Sequence, residues 1–134
     1  MAGYSATPLQ KKLGIKQGYT MFIFQPPVLY FDWISPLPKE VTVKNRLSGE
    51  VDFIHLFLKD QKTFAKEFLK CKKFLKKDGM LWTSWPKKTS RLPTDLDENV
   101  IREFGLKNGL VDVKVCAVDE VWSRLKFVFR VKDR

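Results

Sequence analysis

Two stretches of the chain are almost unbroken runs of apolar residues, at positions 19–25 and 51–58. A third run, at 80–85, is mostly apolar. Strands of a parallel sheet have this pattern because helices cover both of their faces. The runs therefore predict three buried parallel strands, with residues 51–58 as the central strand. Residues 41–47 alternate apolar and polar side chains and predict a shorter strand.

Residues 60–77 predict the clearest helix, because apolar side chains recur there at helical spacing. These side chains are Phe64, Phe68, Cys71 and Leu75. Asp60 is placed to cap the start of the helix, and Gly79 is placed to end it. A lysine face lies opposite the apolar stripe. It consists of Lys62, Lys66, Lys70, Lys73 and Lys77.

A second helix is predicted to begin at Thr94 and to end by residues 108–109. Its first turn carries carboxylates, which favour the positive end of the helix dipole. These are Asp95, Asp97 and Glu98. Its apolar side consists of Leu96, Val100, Ile101 and Phe104. Shorter helices are predicted at residues 8–13, capped by Thr7 and closed by Gly14, and at residues 28–34.

The end of the chain alternates in polarity twice, over residues 111–118 and 124–132. Two alternating runs joined by a short loop predict an antiparallel hairpin at a sheet edge. The same-face positions are Val111, Val113, Val115 and Ala117 in the first run and Leu125, Phe127, Phe129 and Val131 in the second. Together the elements predict a single three-layer Rossmann-like α/β domain over residues 1–134, with a mostly parallel sheet and a C-terminal antiparallel hairpin.

Composition adds a formal charge of +10, and nineteen of the 25 basic residues are lysine. This surplus favours an anionic partner, although lysine is also the usual residue of a solvated surface. The two cysteines are too few for a disulfide framework. The first residues lack the apolar run of a signal peptide, and no stretch is long and apolar enough to span a membrane. We therefore expect a cytoplasmic protein that does not act at a membrane.

The order of elements around the Lys-Lys-Asp-Gly-Met-Leu-Trp phrase at 76–82 is similar to the second half of class I methyltransferases. More specific segments resemble DUF3052, a family of uncharacterised bacterial proteins, over nearly the whole chain. They are residues 3–9 (Gly-Tyr-Ser-Ala-Thr-Pro-Leu), 12–16 (Lys-Leu-Gly-Ile-Lys), 85–88 (Trp-Pro-Lys-Lys), 98–100 (Glu-Asn-Val), 109–115 (Gly-Leu-Val-Asp-Val-Lys-Val) and 122–123 (Trp-Ser). The resemblance implies a truncated, degenerate methyltransferase-like fold and brings no assigned activity.

The chain departs from working methyltransferases after its first strand. In that family a Gly-x-Gly-x-Gly turn lets the backbone approach S-adenosylmethionine, and a carboxylate ending the second strand binds the ribose. Here Pro26 and Pro27 follow the first strand, and Asn45, Arg46 and Leu47 end the second. Prolines supply neither close approach nor amide donors. We therefore expect no S-adenosylmethionine and no other cofactor.

Three patterns of catalytic residue types are weak in this chain. Ser84 and Lys87 match Ser-x-x-Lys, but that hydrolase motif belongs at a helix start, whereas these residues stand at a strand end. His55 is the only histidine and lies mid-strand, where a buried structural role is favoured. Cys71 is expected in the core. Cys116 lies on the polar side of its strand, and the single histidine leaves no metal-ligand set.

The remaining candidate is the loop from Trp85 to Thr94, which leaves the carboxyl end of a predicted parallel strand. Ligands of open α/β sheets bind at such ends, and a helix start follows. The candidate anion-binding residues are Lys87, Lys88, Thr89, Ser90 and Arg91, with Trp85, Asp95, Glu98 and Trp122 as neighbours. A strand-to-helix loop of any lysine-rich protein has a similar composition, so both interpretations stay open. Whether Asp112, Lys114, Asp119, Glu120 and Ser123 of the hairpin approach the loop also stays open.

Three hypotheses for function follow. The preferred one is a non-catalytic or anion-binding module that acts through a protein or an anionic small molecule. The alternative is an enzyme acting on a phosphorylated or nucleotide-like substrate at the Trp85–Thr94 loop, with Asp95 or Glu98 as the base. The third is nonspecific nucleic-acid binding through the lysine face, which is not favoured because no aromatic residue interleaves it.

Overall fold

The computed structural model describes residues 8–117 and 121–134, with the backbone alone for 114–117. Its centre is a six-stranded sheet with the strand order β2-β1-β3-β4-β6-β5. The strands are β1 (Thr20–Phe24), β2 (Thr42–Lys44), β3 (Val51–Phe57), β4 (Leu75–Pro86), β5 (Leu110–Ala117) and β6 (Trp122–Phe129). The first four are parallel to one another, and β6 pairs antiparallel with both β4 and β5. The predicted α/β architecture with its antiparallel C-terminal pair is confirmed.

Helices cover both faces of the sheet, which explains the continuous apolar strands. Successive residues of β3 alternate between two cores: Ile54 and Leu56 belong to one, and Phe53 and Phe57 to the other. The first core packs against α3 (Gln61–Lys72) and α4 (Glu98–Lys107), and the second against α1 (Leu9–Leu13) and α2 (Tyr30–Trp33). Burial on both faces therefore makes β3 the central strand that its sequence predicts.

Two predicted helix boundaries are confirmed at their caps. The side chain of Asp60 accepts a hydrogen bond from the Thr63 amide at the start of α3. Gly14 closes α1 in the left-handed conformation, with φ of +85°. Thr7, the predicted cap of α1, lies outside the described residues. None of the helices in the described ranges is long and apolar enough to cross a membrane.

The prediction that the lysine-rich helix runs to residue 77 is wrong, because α3 ends at Lys72 and β4 begins at Leu75. Gly79 lies inside β4 rather than at a helix end. A Cβ added there would lie 2.8 Å from the carbonyl oxygen of Asp52, so glycine allows β4 to pass close to β3. Lys77 consequently belongs to the strand and not to a helical lysine face.

The prediction that the next helix begins at Thr94 is also wrong. The hydroxyl of Thr94 donates to the carbonyl oxygen of Lys59 and accepts from the Leu96 amide, so this residue ties the loop to the end of β3. Asp97 is the true N-cap, accepting from the Val100 amide at 2.8 Å. Both Thr94 and Asp97 are residue types that cap helices. The hydrogen bond of Thr94 to Lys59 holds Thr94 in the loop, and Asp97 caps the helix.

The predicted C-terminal hairpin is confirmed, but β6 rather than β5 lies against the rest of the sheet. Leu125, Phe127 and Phe129 are buried on one face, as predicted. The prediction that Val131 continues this face is wrong, because β6 ends at Phe129 and Val131, at the start of a 3-10 turn, is 79% exposed. A register shift between Asp112 and Lys114 disrupts the alternation of β5, and Val113 is 54% exposed. Val118 and the side chains of Val115, Cys116 and Ala117 lie outside the described structure.

Candidate functional site

The loop that leaves β4 forms one wall of an open cleft of about 580 Å³, here called the Lys87 cleft. The N-terminal turn of α4 forms the opposite wall. The lining residues are Trp85, Pro86, Lys87, Lys88, Thr89, Leu96, Asp97, Glu98, Asn99 and Ser123. The cleft thus lies at the carboxyl end of a parallel strand, where open α/β sheets bind their ligands.

The loop is held in place by backbone and side-chain hydrogen bonds. The Lys87 amide donates to the carbonyl oxygen of Val121, which joins the loop to the start of β6. A single 3-10 turn follows at Lys88–Ser90. The hydroxyl of Ser90 donates to the carbonyl oxygen of Lys87 at 2.6 Å, and Arg91 ends the turn with φ of +61°. The backbone on both sides of the two lysines is therefore fixed.

Both carboxylates of the Lys87 cleft are already engaged. Asp97 caps α4 through the Val100 amide. Glu98 forms an ion pair with Arg102, and Arg102 also donates to Asp112 at 2.9 Å. Hydrogen bonds to Asp112 and to Glu98 hold the pKa of Arg102 above its usual value. Arg102 thus compensates the charge of Glu98 from within the protein.

Among the residues that the structure describes, no carboxylate compensates the two lysines of the cleft in this way. Neither Lys87 nor Lys88 forms an ion pair or a side-chain hydrogen bond with any part of the chain that the structure describes. Lys87 is half-buried and Lys88 is exposed. The hydroxyls of Thr89 and Ser123 and the amide of Asn99 line the same space. The arrangement offers two free cations with hydroxyl and amide groups nearby, which is the donor set that binds phosphate or carboxylate.

The structure brings some of the predicted site residues together and separates others. Lys87, Lys88 and Thr89 line the cleft together with Trp85 and Glu98. Ser90 and Arg91 belong to the turn beside it and do not line it. Ser123, which the sequence left open, is a lining residue.

Asp95 and Trp122 do not line the cleft. The carboxylate of Asp95 accepts from the Gln61 amide at the start of α3. Trp122 packs edge-on against Phe57 on the opposite face of the sheet, because neighbouring residues of a strand point to opposite faces. Asp119 and Glu120 lie outside the described residues, as does the side chain of Lys114.

Asp97 and Asn99 line the cleft but were not among the predicted site residues. Asp97 was assigned only to the first turn of the helix. An N-cap at Asp97 instead of Thr94 would have placed both residues at the helix start facing the loop.

A separate set of three hydrogen-bonded polar side chains is buried against the sheet. The hydroxyl of Tyr30 is 2.9 Å from Nδ1 of His55, and Nε2 of His55 is 2.7 Å from Oγ of Ser84. All three side chains are buried. Burial, with a smaller contribution from the charge of Arg124, holds the pKa of His55 well below its usual value. The predicted buried, hydrogen-bonded histidine is therefore confirmed.

The described part of the chain gives little support to metal or thiol chemistry. Within residues 8–117 and 121–134, no group of three or more His, Cys, Asp or Glu side chains is placed to hold a metal ion. Cys71 is buried in the core on α3, as predicted, and burial raises the pKa of its thiol to about 12.

The turn after β1 contains no glycine. Gln25 follows the strand with φ of +49°, and Pro26 and Pro27 come next. The side chain of Tyr30, in the short α2, then packs against the sheet and is 0% exposed. Its ring packs edge-on against Phe57 at the carboxyl end of β3. The space beside the carboxyl ends of β1 and β3 is thus occupied by a side chain of this protein.

No protein-family profile matches the sequence. No curated protein is similar to it in sequence. Solved structures do match its fold. An S-adenosylmethionine-dependent methyltransferase from Aquifex aeolicus superposes with a TM-score of 0.66 at 16% identity, covering 91% of this chain and 88% of that one.

Two further solved structures match at lower identity. Fibrillarin from Aeropyrum pernix, in complex with S-adenosyl-L-methionine, superposes with a TM-score of 0.62 at 12% identity, covering 90% of this chain and 72% of that one. Magnesium protoporphyrin IX methyltransferase from Synechocystis PCC 6803, with bound SAH, has a TM-score of 0.57 at 10% identity, covering 91% and 78%. At such identities the likeness establishes the fold alone. The chain therefore has the Rossmann-like fold of the S-adenosylmethionine-dependent methyltransferases.

Proposed function

We propose that this protein is a ligand-binding module that holds a small anionic molecule in the Lys87 cleft and does not transfer methyl groups. The observation that carries the proposal is the pair of lysines in a cleft at the carboxyl end of β4, with no partner carboxylate in the part of the chain that the structure describes.

The charge distribution supports an anion over a cation or a neutral ligand. Asp97 and Glu98 have hydrogen-bonded or ionic partners in the protein, so they attract a ligand cation only weakly. No described residue pairs with Lys87 or Lys88, which leaves them available to an acidic group of a ligand. A phosphate or carboxylate between them would gain charge-assisted hydrogen bonds, which are about twice as strong as neutral ones. Thr89 and Ser123 would supply further donors.

S-adenosylmethionine is the cofactor that the structural neighbours imply, and the residues after β1 do not fit it. Pro26 and Pro27 have no backbone N–H group to offer, and each carries a ring where the cofactor needs close backbone approach. Tyr30 fills the adjoining space and is fixed there by its hydrogen bond to His55. These contacts support a module that has kept the methyltransferase fold without its cofactor.

The enzyme alternative has less support in this geometry, because one of its two candidate bases lies outside the cleft and the other is in an ion pair. Asp95 is turned to the start of α3, and Glu98 is paired with Arg102. The nucleic-acid alternative retains an exposed set of lysines on α3, namely Lys62, Lys66 and Lys70. Salt separates it from the proposal, because nonspecific nucleic-acid affinity falls steeply as salt rises.

The proposal is tested by a thermal-shift screen of the purified protein against inorganic phosphate, sugar phosphates, nucleotides, dicarboxylates and S-adenosylmethionine. A ligand at about 100 times its Kd adds about 2.7 kcal/mol of stability, which is a readily measured shift. The test variant is Lys87→Ala with Lys88→Ala. The matched control, Lys62→Ala with Lys66→Ala, removes the same charge from an exposed face of α3.

We expect a shift with at least one phosphorylated or carboxylated compound, lost in the Lys87/Lys88 variant and kept in the control. An equal shift in both variants would mean general charge attraction and would contradict the proposal. A shift with S-adenosylmethionine, followed by methyl transfer, would overturn it. No shift with any anion would also count against it.

A further inference from the structure

Glu67 is a charged residue on the buried side of α3. It stands at helical spacing from Phe64 and Cys71, both of which are in the core, and only 7% of its surface is exposed. Carboxylates are rarely buried to this extent without a partner, because removing a charged group from water costs far more than removing a neutral one. A glutamate in this position therefore requires a physical explanation.

The described part of the chain provides Glu67 with no hydrogen bond and no ion pair. Its carboxylate oxygens are not among the fully enclosed, unpartnered polar atoms of that part. They consequently reach solvent in spite of the burial of the side chain. The solvent that they reach is that of a second cleft, which Glu67 lines.

This second cleft, here called the Glu67 cleft, has a volume of about 370 Å³. It lies between α3 and the carboxyl ends of β1 and β2, on the side of the sheet opposite Tyr30. It is lined by Phe22, Ile23, Phe24, Gln25, Asn45, Arg46, Leu47, Glu67 and Lys70. None of these residues lines the Lys87 cleft.

Two cations share the cleft with Glu67. Arg46 follows β2 and Lys70 lies one turn further along α3, and both are exposed. Neither forms an ion pair within the part of the chain that the structure describes. A simple anion would meet the carboxylate of Glu67, and a simple amine would meet the two cations. A ligand that carries both an ammonium and an acid group satisfies all three charges.

The rest of the lining is apolar. Phe22 is buried, and Phe24 and Leu47 are partly buried against the same core. Alternation along β1 points both phenylalanines to the α3 side of the sheet. An aliphatic or aromatic side chain is the kind of group that such a surface removes favourably from water.

We propose that the Glu67 cleft binds a free α-amino acid with an apolar side chain. Its ammonium group meets Glu67, its carboxylate meets Arg46 and Lys70, and its side chain lies against Phe24 and Leu47. This site is independent of the anion-binding proposal, since the two clefts share no residue.

Isothermal titration calorimetry with L-leucine and L-phenylalanine tests this site on the whole chain. Two analogues separate the charges: N-acetyl-L-leucine lacks the ammonium group and L-leucinamide lacks the carboxylate. The test variant is Glu67→Gln, which keeps the size of the side chain and removes its charge. Its matched control is Glu103→Gln, the same change at an exposed carboxylate of α4.

We expect one of the two amino acids to bind, and both leucine analogues to bind at least about tenfold more weakly than leucine, because a hydrogen bond to a charged group is lost in each. Glu67→Gln should weaken amino-acid binding by a similar factor. Glu103→Gln and the Lys87/Lys88 variant should bind as the unchanged protein does, so failure of the anion site leaves this test intact.

The melting temperature of ligand-free Glu67→Gln tests whether Glu67 is paired with a cation of the protein in solution. Removing an unpartnered buried charge should leave the melting temperature of Glu67→Gln unchanged or raise it. A marked fall would mean that Lys70 or Arg46 pairs with Glu67 in solution and would overturn the proposal. Binding of neither amino acid, or equal binding to Glu67→Gln, would overturn it as well.

Discussion

His55 and Ser84 lie diagonally across the parallel strands β3 and β4, where His55 pairs with Trp82 and Ser84 pairs with Phe57, and Nε2 of His55 is 2.7 Å from Oγ of Ser84. The hydroxyl of Tyr30 satisfies the other ring nitrogen. Both nitrogens of this fully buried imidazole thus have hydroxyl partners. Burial lowers the pKa of His55 and favours the neutral ring, in which one nitrogen donates a hydrogen bond and the other accepts one. The resemblance of this pair to a catalytic serine and histidine is superficial, since neither side chain reaches solvent.

The stability of this protein should fall on mild acidification because of His55. Burial holds the pKa of His55 well below 6.5 in the folded state, whereas the unfolded chain takes up a proton near that pH. The unfolded state therefore binds more protons below about pH 6.5, and the free energy of unfolding should fall by about 1.4 kcal/mol per pH unit down to the folded pKa. Above that pH the contribution is fully present. Urea unfolding at a series of pH values measures it.

The control is His55→Gln, whose amide keeps one donor and one acceptor but does not titrate. Its unfolding free energy should depend less on pH than that of the unchanged protein between about pH 6.5 and 5. Identical pH dependence of the two proteins would show that His55 is not the titrating group.

Gly105→Ala should destabilise the protein although alanine is the better helix former. A Cβ at this position of α4 would lie 2.1 Å from Cε1 of Phe127, whose ring is fully buried in the core. Overpacking of this kind costs about 1–3 kcal/mol. Thermal or urea unfolding measures the loss. Leucine at position 127 would relieve this clash, so Phe127→Leu should cost less stability in the Gly105→Ala background than in the unchanged protein. Equal costs in the two backgrounds would mean that the ring moves aside freely.

Cys71 should be unreactive in the folded protein. The thiol is buried in the core, and burial with the nearby charge of Glu67 raises its pKa to about 12, so almost no thiolate exists at neutral pH. In a Cys116→Ser variant, Cys71 is the sole remaining thiol. We expect a thiol reagent to label it only as fast as the protein opens or unfolds, and rapid labelling under native conditions would contradict its burial.

Asp97→Ala should destabilise α4 by about 1 kcal/mol, because the Val100 amide loses its acceptor at the helix start. Asp97→Asn should cost much less, since asparagine caps helices almost as well. Urea unfolding of the two variants compares them. If both lose the same stability, the charge of Asp97 matters more than its cap.

The fold could be predicted from the sequence wherever burial leaves a regular pattern. Residues 19–25 and 51–58 are apolar on both faces, and both became strands covered by helices. The helix from Asp60 was predicted correctly at its capped end and wrongly at its other end. There the apolar positions continue at Leu75, which has helical spacing by coincidence but belongs to β4. Periodicity does not mark the residue at which a helix gives way to a strand.

The candidate site could be predicted only in part, because side-chain direction depends on tertiary contacts. The rule that ligands bind at the carboxyl ends of strands predicts Lys87 and Lys88 as site residues, but it does not predict which element forms the opposite wall of the cleft. Asp95 was misplaced because its partner, the Gln61 amide, is 34 residues away in sequence. Glu67 is not among the predicted site residues. Its spacing from Phe64 and Cys71 nevertheless places a charged residue on the apolar face of the helix, and this signal is present in the sequence.

The position of β6 between β4 and β5 has a consequence for synthesis on the ribosome. The strand that bridges the two follows both of them in sequence, so β5 has no neighbour to pair with until residues 122–129 leave the exit tunnel. During that interval the long apolar edge of β4 stands open, which is the kind of surface that recruits chaperones or another nascent chain. We therefore expect a ribosome-bound chain stalled with residues 122–129 still in the tunnel to be protease-sensitive, and a chain stalled after these residues have left the tunnel to be protected.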